Sequence, residues 1–217
     1  VIKLYAQDNF SDLNILISRC SKFSFALCYI MVLPLYCNME LILNIWLGDD
    51  VPTYTAGFCR MILICTLFDA TTGVFNTAIT ATGKIKFYQL WISLSFLLDL
   101  GCSYLMLFAR INPVLVFSSK ILTRGVLNMI IGLYFSRRYI GFDISGYCKT
   151  TLFKIFIILL VTIIPTYCIS LYTDGWLRFI YTTLFSSMAI VSSTLYILMN
   201  EPERNTVLVK LKKRLVH

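Results

Sequence analysis

Three ionisable side chains stand near the middle of long apolar runs: Asp69 within residues 54–81, Asp99 within about 87–108, and Arg124 within about 113–135. At mid-depth in hydrocarbon such a charge costs about 2.5 to 3.5 kcal/mol on insertion scales, so each must be paired or wet. Lys120 and Asn128 lie four residues to either side of Arg124 and share its helical face. Two chemistries fit this set: the charges neutralise one another, or they line a path for ions or polar substrates. A phosphate or pyrophosphate bound by Lys120 and Arg124 would receive charge-assisted hydrogen bonds, forked from Arg and from a point charge on Lys. Asp69 and Asp99 would then balance that charge or carry a coupling ion. Glu40 and Arg60 flank a short loop at similar depth, and are candidates for a gating ion pair or a static bridge between helices. At 100° per residue Arg60 falls on the opposite face of its helix from Asp69, and is a poor partner for it.

The elements that must position these groups are helices in a membrane. The chain of 217 residues is 58% hydrophobic and only 14% charged, with a mean hydropathy of +0.78, whereas soluble domains are about 25% charged. The expected fold is all-α: a polytopic bundle of six spans at about 23–47, 54–81, 87–108, 113–135, 151–172 and 176–198. An amphipathic segment, 1–22, precedes the bundle without a span of its own, and residues 139–147 read as a short interfacial segment. Pro34 and Pro165 are expected kinks. On the second span Thr66, Asp69, Thr72, Gly73, Asn76 and Thr80 share a small or polar face, and Leu67, Val74, Phe75 and Ala78 an apolar one. Gly73, Thr77 and Ala81 fit the small-residue spacing at which helices approach closely. The tail, 200–217, sets Val207, Leu208, Leu211 and Leu215 against Lys210, Lys212, Lys213 and Arg214. It reads as a basic amphipathic helix on an anionic surface or as a plain basic flank.

The net charge of +8 is topological. Lys3, Arg19, Lys22, Lys84, Lys86, Arg137, Arg138, Lys149, Lys154 and the basic tail fall on one side of the expected spans, and only Arg110 and Arg178 on the other. Both ends of the chain are therefore expected in the cytoplasm, and no basic soluble fold is left to bind nucleic acid. Eight cysteines without a CxxC pair, and a single histidine at His217, argue against a metal centre or a disulfide framework. No phosphate loop and no closely spaced pair of carboxylates is present, so neither an enzyme nor a cofactor is expected. A glycan polymerase or ligase would need a larger outer loop than this pattern allows.

Ser21-Lys22-Phe23, Leu33-Pro34-Leu35, Ile45-Trp46-Leu47-Gly48 with Pro52, Ala81-Thr82-Gly83-Lys84-Ile85-Lys86 with Tyr88-Gln89, and Glu203-Arg204 occur in that order. In this the chain resembles the C-terminal part of bacterial polysaccharide-biosynthesis flippases, the O-antigen and capsule-unit exporters of the multidrug/oligosaccharidyl-lipid/polysaccharide superfamily. The resemblance implies a two-lobed inner-membrane transporter that moves an undecaprenyl-pyrophosphate-linked oligosaccharide outward by alternating access. Its partners would be that substrate, membrane lipids and a first lobe of the same protein. The chain starts at Val1 in a polar stretch and reads as a piece lacking that lobe. Alternatives are a drug or cation antiporter of the same superfamily and a truncated fragment that transports nothing.

Overall fold

The computed structural model describes residues 1, 4, 5, 7, 9–48, 50–172, 175–199 and 204. Helix α1, Phe10–Cys37, starts where the Asn9 side chain accepts the Asp12 amide at 3.2 Å, satisfying one of the first-turn donors that have no helical partner. A short α2, Met39–Leu47, follows the break at Asn38. Four long helices come next: α3, Thr55–Ala81; α4, Lys86–Phe108; α5, Pro113–Ile140; and α6, Ile144–Tyr172. Gly175–Leu198 is α7. All of these except α2 are long and apolar enough to cross a membrane, which gives six spans, and the described residues contain no strand. The protein is an all-α polytopic membrane protein.

Several boundaries differ from those expected, each for a local reason. The first span starts at Phe10 rather than near residue 23, because Ser21 and Lys22 are buried inside the bundle rather than lying on its surface. It also stops at Cys37 rather than running on to 47. The Asn38 amide closes the last helical bond to the Pro34 carbonyl (3.1 Å), and its side-chain Nδ2 donates to the same oxygen at 2.9 Å, a side-chain bond that competes with continuation of the helix. At the other end of the bundle α5 runs on to Ile140, where Gly141 takes a left-handed conformation (φ 69°) that a Cβ disfavours. Helix α6 then begins at Ile144, with the Asp143 carboxylate accepting the Gly146 amide at 3.1 Å. Most of the expected interfacial segment thus belongs to these two spans. The basic amphipathic tail, apart from Arg204, lies outside the described residues.

The helices pack in sequence across the bundle. Helices α6 and α7 lie on α1, α1 on α3, α3 on α5, and α4 chiefly on α5. In lipid the apolar surfaces gain nothing by leaving water, so close packing and interhelical hydrogen bonds must hold them together. Phe75 and Ala78 of α3, both almost fully buried, meet Leu13 and Ile17 of α1, Leu133 of α5, and Phe142 and Tyr147 beyond it. Ser21 donates to the Thr71 carbonyl at 2.9 Å, so at 2.7 Å it accepts from the Tyr147 hydroxyl. Tyr29 and Thr162 are bonded at 2.7 Å, as are Asn38 Nδ2 and Thr182 Oγ1. The close approach expected at Gly73 is not made there: a Cβ at Gly73 would meet nothing within 4 Å, because that face of α3 is open. It is made on α5, where a Cβ at Gly125 would come within 2.9 Å of the Phe68 ring and one at Gly132 within 3.3 Å of Phe75.

Candidate functional site: a charged groove between α3, α4 and α5

Because α5 packs on both α3 and α4, it forms the floor of a groove whose walls are those two helices. The floor is not a regular α-helix. Residues Ile121–Leu127 form a π-helical stretch, a local widening that rotates side chains out of the i, i+4 register and is frequent at functional positions. Lys120, Arg124 and Asn128 therefore reach three different neighbourhoods instead of forming one straight ladder.

Arg124 lies between the walls. Its Nη2 is 3.6 Å from Oδ2 of Asp69 on α3, and its guanidinium stands 5.7 Å from the ring centroid of Phe96 on α4. Lys120 Nζ sits over the ring of Phe117 at 3.9 Å, within reach of a cation–π attraction. Asn128 accepts from the hydroxyl of Ser95 on α4 at 2.7 Å. Asp99, also on α4, is 9% exposed and accepts from Ser119 Oγ at 2.9 Å and Thr123 Oγ1 at 3.1 Å. Ser103 adds a third hydroxyl, 3.1 Å from that of Ser119. Both bonds to Asp99 end on Oδ1, and among the described residues no cation lies within ion-pair distance of this carboxylate.

Lys120 and Asp99 line one cleft of ≈ 430 Å³ together with Phe58, Phe96, Ser103 and Phe117. The groove thus holds two cations and two carboxylates. Of the two arrangements open to these charges, mutual neutralisation or a lined path, the Asp69–Arg124 contact supplies one opposite-charge approach and leaves both side chains partly exposed. The polar face of α3, with Asp69, Gly73, Asn76 and Thr80 exposed, continues the groove toward Lys84. Exposed polar groups at this depth cannot face lipid tails without a cost of several kcal/mol, so this surface must meet water or another protein surface.

Glu40 and Arg60 lie outside the groove. They are bonded at 3.1 Å near the Trp46 end of the bundle, with Glu40 69% and Arg60 28% exposed. Sequence reasoning missed Arg178, which it counted as a loop charge. Its Nη2 reaches across to the Cys37 carbonyl at 3.0 Å; its place in the first turn of a span was the available signal. It also missed Phe96, whose spacing of three from Asp99 puts both on the groove wall. No group of three or more His, Cys, Asp or Glu that could hold a metal ion occurs among the described residues.

Compared with protein-family models, curated proteins and solved structures, the chain matches none.

Proposed function

We propose that this chain forms one part of a bacterial inner-membrane transporter that moves a lipid-linked oligosaccharide across the membrane by alternating access, with both chain ends in the cytoplasm. Support comes from the groove. There Arg124 stands near mid-span and Lys120 one turn further out, both along an open surface, where a phosphate-rich head group would receive a forked and a point-charge contact. The order of short motifs shared with polysaccharide flippases points the same way. A second lobe of the same protein would close the open polar face of α3 into a cavity.

The two carboxylates take different parts in this reading. Asp69 balances Arg124 and yields when the anionic head group arrives. Asp99 has hydroxyl partners but no cation partner among the described residues, so it carries the proton or sodium ion that couples transport to a gradient. Because the groove is neutral before the substrate enters, an anionic occupant and a coupling cation stabilise each other's binding.

Replacing Arg124 by Ala in the full-length protein is expected to abolish surface polysaccharide while membrane abundance stays at the wild-type level. Unchanged export would overturn the assignment. The second reading, a drug or cation antiporter, draws support from Phe58, Phe96 and Phe117 beside Asp99 in the same cleft, a lining that suits lipophilic cations. A drug-efflux assay on cells expressing the full-length protein separates the two.

A further inference from the structure

A second cleft of ≈ 400 Å³ opens at the Trp46 end of the bundle, lined by Tyr36, Glu40, Arg60, Tyr167, Ser170 and Arg178. It lies away from the groove, since Arg60 and Asp69 project from opposite faces of α3. The broken helix builds it. The interruption at Asn38 takes the carbonyls of Tyr36 and Cys37 out of the helical ladder. Arg60 Nε donates to the first at 3.3 Å and Arg178 Nη2 to the second at 3.0 Å. Two guanidiniums from different helices are thereby tied to one backbone break and held beside one cleft.

Their charges are not matched. Among the described residues Glu40 is the one carboxylate lining the cleft; it pairs with Arg60 and is mostly exposed. Arg178 has no carboxylate within ion-pair distance among the described residues, and its Nε is buried without a partner. The described lining of the cleft therefore carries a net charge of +1 (two Arg, one Glu). Arg60 and Arg178 stand within the first two turns of α3 and α7, the depth of lipid head groups, and Tyr36 and Tyr167 flank them as interfacial aromatics do.

We propose that this cleft binds the phosphate diester of a membrane lipid head group, with Arg60 and Arg178 donating to its oxygens. Glu40 stands on Arg60 where a phosphate oxygen would bind. A guanidinium fork matches phosphate geometry, and a cleft of charge +1 matches a singly charged diester. Free phosphate has the same donor requirements, and the acyl chains of a lipid distinguish it.

The test uses the purified whole chain in detergent, titrated in mixed micelles with dioleoylphosphatidylglycerol, with dioleoylglycerol, which has the same tails but no phosphate, and with inorganic phosphate. Binding of the phosphatidylglycerol alone is expected. Glu40→Gln keeps both arginines and their backbone bonds, so it preserves the fold while removing the competing carboxylate, and is expected to tighten binding roughly five-fold. Arg178→Gln is expected to weaken it roughly ten-fold or more. Equal binding of dioleoylglycerol, or an affinity that Glu40→Gln leaves unchanged, would overturn the proposal. Saturation by inorganic phosphate at equal concentration would overturn its lipid part.

Discussion

Asp69 of α3 and Arg124 of α5 approach to 3.6 Å while 46% and 43% of their side chains remain exposed. In a soluble protein such a pair would be an ordinary surface ion pair worth about 0.2 to 1 kcal/mol. Near the middle of two membrane spans the same exposure has another meaning. Lipid tails cannot solvate either charge, so the exposed half of each must meet water, substrate or another protein surface. A pair already held tightly would have no capacity to respond to an anion; this one can open.

The pair should therefore be weak in stability and strong in function. In a double-mutant cycle of Asp69→Asn and Arg124→Gln, followed by thermal unfolding in detergent, the coupling is expected to stay near or below about 1 kcal/mol. A coupling of about 3 kcal/mol or more, typical when one partner of a buried pair is removed, would show the pair to be a static bridge. Under the transport reading Arg124→Gln stops export, whereas Asp69→Asn keeps it.

Asp99 should behave differently. An Asn in its place still offers an oxygen to the hydroxyls of Ser119 and Thr123, so membrane abundance is expected to be unchanged. What is lost is the ionisable group. Export by the Asp99→Asn protein is expected to lose its dependence on the proton or sodium gradient, measured by collapsing each gradient separately, while Asp69→Asn retains that dependence. Retained gradient dependence in Asp99→Asn would remove the coupling role from this residue.

The helical class and its six apolar spans are legible in the sequence because lipid imposes length and hydropathy on every span. The groove's residue types are legible for the same reason: Asp69, Asp99, Arg124 and Lys120 stand out because charge at that depth is rare. Their pairing is not, since it depends on which helices meet and on the π-helical stretch at Ile121–Leu127. Arg124 lies within that stretch and meets Asp69, while Lys120, just before it, lies over Phe117, and local spacing gives no sign of the π-helical turn. The break at Asn38 escapes the sequence for a similar reason. Pro34 marks the region, yet the helix continues past it and ends where Asn38 competes for the Pro34 carbonyl and also bonds Thr182 on a distant helix.

Gly125 should be as sensitive as the charged residues although it carries no side chain. A Cβ there would fall 2.9 Å from Cγ of Phe68, closer than real contacts allow, so α3 and α5 would have to separate around the Arg124 site. Gly125→Ala is expected to destabilise the protein by about 1 to 3 kcal/mol in detergent unfolding. The double variant with Phe68→Ala should show clear non-additivity, because the smaller side chain gives back the space. Simple additivity would mean that the α3–α5 contact is looser than the structure describes.

The open face of α3 yields the most direct test of whether a water-accessible cavity exists. Asn76 and Cys102 are both exposed, but their surroundings differ in chemistry. Asn76 lies on the polar face with Asp69 and Thr80. Cys102 lies on α4 among exposed Leu100, Tyr104 and Leu105, a surface that suits lipid tails. A thiol reacts as its thiolate, which water stabilises and hydrocarbon does not. In a background whose native cysteines are replaced by Ala, a cysteine introduced at Asn76 is expected to react with a charged, water-soluble maleimide in membranes, and Cys102 restored alone is not. If both positions are inert until detergent is added, then the polar face of α3 is sealed against another protein surface, and the groove is a packing seam. If position 76 reacts, lipid-linked substrate added to the membranes should slow the reaction under the transport reading, since Asp69 and Arg124 lie two turns away on the same open surface. A non-transporting fragment would show the reactivity without that protection.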